Sequence, residues 1–158
     1  MNRLSLLLLS IALAAGTANA QTTPRNYVEA GSWVSTDADI EAWYTLLANL
    51  RRNFDDICGD TFCEGDWSNI QALRMRCSVE TGDGQIGRCV WIFAASNEEV
   101  DAPTGRILVD TRTWRCRAPI VRGTTLPELL TALAGDEPLY AALPHGGGSI
   151  YDGLIDCL

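Results

Sequence analysis

The sequence predicts an α+β domain: one long N-terminal helix packed on a three- or four-stranded antiparallel sheet, followed by short C-terminal helices and tied by three disulfides. Three observations carry this expectation. Between Thr36 and Trp67 the apolar residues Ile40, Trp43, Leu47, Leu50, Phe54 and Ile57 recur in alternating steps of three and four, one stripe along a helix of about five or six turns. From Leu73 the period drops to two, as a half-buried strand requires. Six cysteines are spaced so that each has a partner within reach.

Residues 1–20 have the pattern of a secretory signal peptide. Arg3 supplies the positive start, Leu4 to Ala15 an apolar run, and Ala18-Asn19-Ala20 the small-residue cleavage site. About a dozen apolar residues falls short of the roughly twenty that span a bilayer. The expected product is exported, periplasmic or secreted, and not membrane-embedded. Removal of the segment leaves 138 of the 158 residues, enough for one domain with a core of its own.

Charge narrows the partners. Past residue 20 there are 11 arginines, no lysine and 20 carboxylates, a formal −9. Nucleic acid and anionic lipid both select for excess cations, so neither fits as the main partner. A basic protein does.

Residues 21–35 read as an N-terminal arm, with Tyr27, Val28 and Trp33 as apolar anchors for a short strand or an extended segment. The disulfide-stabilised domain proper then covers 36–158. Thr36 is placed to cap the long helix, with Asp39 three residues on, and Asp37, Asp39 and Glu41 favour its N-terminal dipole. After the helix, Leu73, Met75, Cys77 and Val79 alternate with Arg74, Arg76, Ser78 and Glu80. A Gly82-Asp83-Gly84 turn leads to a second strand, Ile86 to Ala95, apolar on both faces and therefore central. Asp101 to Gly105 is a further turn cluster, followed by a third strand, Arg106 to Arg117. A short strand is expected at Pro119 to Val121. Thr125 and Glu128 form a capping box for a second helix that Gly135 ends. Leu139 to Leu143 suggests another helical turn, His145 to Gly148 a loop, and Ser149 to Leu158 a short helix or tail.

Spacing favours one disulfide framework in an exported chain. Cys58 and Cys63 close a small loop at the helix end. Cys77 and Cys89 lie symmetrically about Asp83 and face each other in a hairpin centred there. Cys116 and Cys157 remain, stapling the C-terminus to the sheet.

The first of these loops is the strongest functional candidate. Asp60, Phe62, Glu64, Asp66 and Trp67 crowd a turn locked by a disulfide, a preset binding surface for a basic enzyme. Asp56, Asp60, Glu64 and Asp66 would also offer oxygen ligands to Ca²⁺, although not at EF-hand spacing. Arg74, Arg76 and Arg88, with Arg112, Arg115 and Arg117, are expected to line a sheet face, where guanidinium groups grip carboxylates or phosphates. Carboxylate pairs suit glycoside hydrolysis, and exposed tryptophans stack on sugars, so a small hydrolase or carbohydrate-binding module is the alternative. His145, the one histidine, has Ser149 nearby but no GxSxG elbow, and with every cysteine paired no thiol nucleophile is left.

The runs CGDTFCEGDWSN, LRMRCSVE, IGRCVWIFAAS and IYDGLIDCL resemble those of small exported disulfide-containing bacterial proteins of uncharacterised function. In size and layout the chain is also similar to periplasmic inhibitor and immunity proteins, in which a braced α+β domain occludes an enzyme. That resemblance implies a non-catalytic binding protein and brings no cofactor or catalytic residue with it.

Overall fold

The computed structural model describes residues 25–158, and the expected signal peptide lies outside them. The chain is α+β. Its order is β1 (Tyr27–Glu29), α1 (Ala30–Trp33), α2 (Asp37–Thr61), β2 (Gln71–Glu80), β3 (Ile86–Asp101), β4 (Arg106–Arg117), α3 (Leu126–Ala132) and α4 (Ile150–Ile155). The four strands lie in sheet order β1-β2-β3-β4, each antiparallel to its neighbours. The expected arm therefore contributes both an edge strand and a helical turn. Gly84, at φ +72°, lets the hairpin pass under Trp33: an added Cβ would stand 2.8 Å from the indole ring.

Helix α2 starts as its sequence dictates, with the Thr36 hydroxyl accepting from Asp39 N at 3.1 Å. Its buried face is rotated from the expected stripe. Trp43, Leu50 and Phe54 are buried as expected, joined by Leu46, Asn49, Asn53 and Cys58, while Ile40 is exposed and Leu47 and Ile57 are half-buried. The rotation has a polar cause. Asn49 Nδ2 donates to Gly135 O at 2.7 Å and Asn53 Nδ2 to Asp136 O at 3.0 Å, so the segment after α3 docks along that side of the helix.

Strand β3 is central and runs six residues past the expected end at Ala95. Its register pairs Cys77 with Cys89, their Cα atoms 4.0 Å apart, as the symmetry about Asp83 requires. Cys58 with Cys63 and Cys116 with Cys157 complete the expected framework, at Cα separations of 5.0 and 5.5 Å. Odd-numbered β3 positions Trp91 and Phe93 face the helices, where Phe54 meets Phe93 at 4.7 Å between ring centroids. Leu126, Leu129, Leu133, Leu139 and Leu154 close the core from the C-terminal side. Two expectations fail. Pro119 to Val121 forms no strand, since Pro119 has no N–H to donate to a ladder and Ile120 N turns back to Ala118 O at 2.8 Å. Leu139 to Leu143 is a set of turns without a helix, its carbonyls and amides taken by Ile150–Ile155 and the glycine loop: Tyr151 N bonds Leu139 O at 3.0 Å and Leu143 N bonds Gly148 O at 2.7 Å.

Among the described residues no helix is long and apolar enough to cross a membrane. Three disulfides fit an oxidising compartment.

Candidate functional site

The acidic knuckle begins inside the helix. Helix α2 continues through Cys58 to Thr61, so Asp60 sits on its last turn and not in a loop as the sequence suggested. Phe62 N and Cys63 N both donate to Cys58 O, at 3.1 and 2.7 Å, and the disulfide closes the same turn covalently. Gly65, at φ +61° with open space around it, starts a single helical turn over Gly65–Trp67. Beyond it Asn69 clamps the chain to β3, donating to Ser96 Oγ at 3.1 Å and accepting from Ser96 N at 3.0 Å.

The five proposed contact residues divide into two groups. Phe62 and Trp67 are half-buried and serve as anchors. The Phe62 ring stacks on Phe54, centroids 6.0 Å apart and planes within 10°, and meets Tyr151 at 5.8 Å. Trp67 stands edge-on to Trp114 at 5.9 Å, and the Arg112 guanidinium lies over both indoles at 5.9 and 5.0 Å. Arg112 therefore leaves the expected arginine face and braces the knuckle; its even-numbered position on β4 turns it to the side of Trp114 and Cys116. Sequence spacing alone does not show this three-residue cluster, because it depends on where the chain returns after some 45 residues.

Asp60, Glu64 and Asp66, with Asp55 and Asp56 one turn earlier, are exposed. Among the described residues the ion pairs are Arg52–Asp136 at 3.7 Å and His145–Glu128 at 3.6 Å, and neither involves these five carboxylates. Arg52, four residues before Asp56, is turned instead to Asp136, whose carbonyl it also bonds at 3.1 Å. The last turn of α2 holds no basic residue. Carboxylates there meet the negative end of the helix dipole, an arrangement that costs stability. The described residues contain no group of three His, Cys, Asp or Glu side chains placed to hold a metal, so Asp56, Asp60, Glu64 and Asp66 do not converge on one point.

The outer face of the sheet has the opposite sign. Arg76 and Arg117 flank Val90 on adjacent strands, and Arg74 and Arg115 flank Ile92 one rung further on. Arg88, opposite Ser78, extends the row. All five are exposed, and none pairs with a carboxylate among the described residues; residues 1–24 contain no Asp or Glu.

The Ser-His-Asp set does not assemble. Ser149 Oγ accepts from Asp152 N at 3.2 Å and donates to Asp152 Oδ2 at 2.9 Å, the capping box of α4, while His145 faces Glu128. Compared with known proteins, the chain matches no family model, no curated protein and no solved structure.

Proposed function

We propose that this chain is a non-catalytic exported binding protein whose acidic knuckle engages a basic protein, an enzyme of the periplasm or the medium, in the manner of an inhibitor or immunity protein. The observation that carries the proposal is the placement of Asp56, Asp60, Glu64 and Asp66: exposed, without ion pairs, and partly set against the helix dipole. Folding gains nothing from such charges, whereas a cationic partner would supply the missing counter-charge. The frame beneath them is held by a disulfide, three aromatic contacts of Phe62 and Trp67, and the Asn69 clamp, so little ordering cost is incurred on binding. Acidic residues also steer a basic partner toward the surface.

The test is affinity capture from the periplasm or culture medium with the oxidised chain as bait. Capture of a basic enzyme, lost when Asp60, Glu64 and Asp66 become alanine, supports the reading; capture indifferent to those changes sinks it. Binding on a glycan array that Trp67→Ala abolishes would favour the carbohydrate-binding alternative instead.

A second reading rests on the unpaired arginines. The rungs Arg76–Val90–Arg117 and Arg74–Ile92–Arg115 set the backbones of each arginine pair two strand spacings apart, about 9–10 Å, on either side of an apolar strip. Such a surface suits a ligand with several carboxylates or phosphates. Salt-sensitive binding of polyglutamate, lost in Arg76→Gln/Arg117→Gln, would support it; no binding at low salt would remove it.

A further inference from the structure

Beyond Ala94, β3 has no partner but β4. Gln71 of β2 pairs with Ala94, and β2 starts there, so the six rungs from Ser96↔Thr111 to Asp101↔Arg106 form a two-stranded ribbon projecting from the sheet. Its base is fixed by the knuckle, through Asn69 to Ser96 and Trp67 to Arg112. Its tip is unusually apolar for a free ribbon: Val100 is 68% exposed, Ile107 61%, Val109 61% and Leu108 46%. Strand β4 is also an edge of the sheet, twelve residues long and free of proline and lysine. Long apolar edges of this kind pair with other strands unless they are blocked.

The main-chain groups at this edge are set out for pairing. Ala118 N donates to Cys89 O at 3.1 Å, which extends the β3–β4 register by one pair and places even-numbered β4 positions toward β3. The alternation of an antiparallel ladder then turns the N–H and C=O groups of Ile107, Val109 and Thr111 outward. The partner of Thr111 N is the neighbouring Asp110 side chain, at 2.8 Å.

The five residues Arg106-Ile107-Leu108-Val109-Asp110 are complementary to themselves when run antiparallel about Leu108. Arg106 meets Asp110 of the second copy, Ile107 meets Val109, and Leu108 meets Leu108. Neither Arg106 nor Asp110 has an ion pair among the described residues. The alternatives are worse. Centring on Val109 sets Arg106 against Arg112, and centring on Asp110 sets that residue against itself. Centring on Thr111 matches Asp110 with Arg112, whose guanidinium already lies over Trp67 and Trp114, and puts Ile107 opposite Arg115.

We propose that the free edge of the β3–β4 ribbon pairs with the same edge of a second copy about a two-fold axis through Leu108, joining the two sheets into one. Ile107 and Val109 exchange main-chain hydrogen bonds with Val109 and Ile107 of the second copy. Their side chains and those of Val100 from both copies then form one apolar strip across the outer face. The Arg106–Asp110 pairs, one on each side of the axis, fix the register. A contact of about five residues per strand is small, so the dimer is a weak one.

Sedimentation equilibrium of the oxidised chain, from the low micromolar to the submillimolar range, tests this. The chain is expected to pass from monomer to dimer. Asp110→Arg sets arginine against Arg106 at two places and should raise the dimer Kd roughly tenfold. Arg106→Asp combined with Asp110→Arg restores opposite charges and should restore association. Circular dichroism guards against misfolding, since these side chains are exposed. Hydrogen exchange gives an independent readout: amides of Ile107 and Val109 should gain protection as concentration rises. A monomer across the whole range overturns the proposal, as does a dimer that the single reversal leaves intact, or a monomer that instead adds an extended strand from another protein.

Discussion

Asn53 accepts a hydrogen bond from Leu139 N at 3.4 Å, and its Nδ2 donates to Asp136 O at 3.0 Å, so one buried side chain on α2 satisfies two main-chain groups of the C-terminal half. Asn53→Ala leaves Leu139 N without its partner in a buried site, and leaves Asp136 O to Arg52 alone. One unmet buried polar group costs about 1–3 kcal/mol, so the variant is expected to lose about 1–2 kcal/mol. Urea denaturation checks this through a lower midpoint at unchanged slope. A loss under about 0.5 kcal/mol, the ordinary range for surface changes, would mean that the loop after α3 docks by its leucines alone.

The three disulfides should differ in what they contribute. Cys116–Cys157 closes a separation of 41 residues and Cys58–Cys63 one of 5. On the chain-entropy account the first stabilises by about 4 kcal/mol and the second by about 2 kcal/mol. Paired Cys→Ser variants, compared by thermal melting, should rank in that order. If Cys58→Ser/Cys63→Ser proves the more damaging, the small loop serves the fold and not only the knuckle.

Local signals carried the strands and the cysteine pairs. The alternation of Leu73 to Glu80 and the symmetry of Cys77 and Cys89 about Asp83 depend on neighbours along one hairpin. The structure agrees with the symmetry and with the alternation from Met75 to Glu80. Leu73 is exposed, because a register shift between Ala72 and Arg74 turns Ala72 inward in its place. The stripe on α2 failed at Ile40 because periodicity sees apolar residues only. Asn49 and Asn53 face inward for hydrogen bonds to residues more than eighty positions away, which no window on the sequence contains. The site divides in the same way. Its carboxylates and its disulfide were legible, but the anchoring of Trp67 by Arg112 and Trp114 was not, since β4 brings those residues back from a distance.

The capping box at α3 makes stability depend on pH. Thr125 N donates to Glu128 Oε2 at 2.8 Å and the Thr125 hydroxyl to the same oxygen at 2.9 Å. These two bonds hold the Glu128 carboxyl below its ordinary value against the opposing effect of burial, with a lesser contribution from the nearby His145 ring. A group whose pKa is lower folded than unfolded stabilises above the unfolded value, about 4.3 for glutamate, and that stability is lost as pH falls through the folded value. Glu128→Gln should therefore flatten the decline of stability below about pH 4 and change little at neutral pH. Parallel declines in the two proteins would show that the cap does not favour the ionised carboxyl.

Phe62 belongs to the fold, although it lies within the knuckle. Its ring stacks on Phe54 and contacts Tyr151, so Phe62→Ala removes contacts from a half-buried site. A fully buried Phe→Ala change costs about 3–5 kcal/mol, and partial burial reduces this to about 2 kcal/mol. Thermal melting of this variant should show a clear loss, whereas the triple alanine change at Asp60, Glu64 and Asp66 should not. Equal losses would mean that the carboxylates are part of the packing and that capture experiments with the triple variant report unfolding.

Asp60 gives the sharpest separation between stability and binding. It lies on the last turn of α2, where exposed main-chain carbonyls make the helix end negative and no basic side chain compensates. Removing one such charge should stabilise the free protein by about 0.3–1 kcal/mol, an effect that salt diminishes. Asp60→Asn is therefore expected to melt higher than the parent at low ionic strength and to capture less of a basic partner. Opposite signs in those two measurements are what a surface charge kept for recognition requires, since it is tolerated at the expense of the fold. A lower melting temperature would assign Asp60 to the structure itself, and the knuckle would then lose the observation on which its role as a contact surface rests.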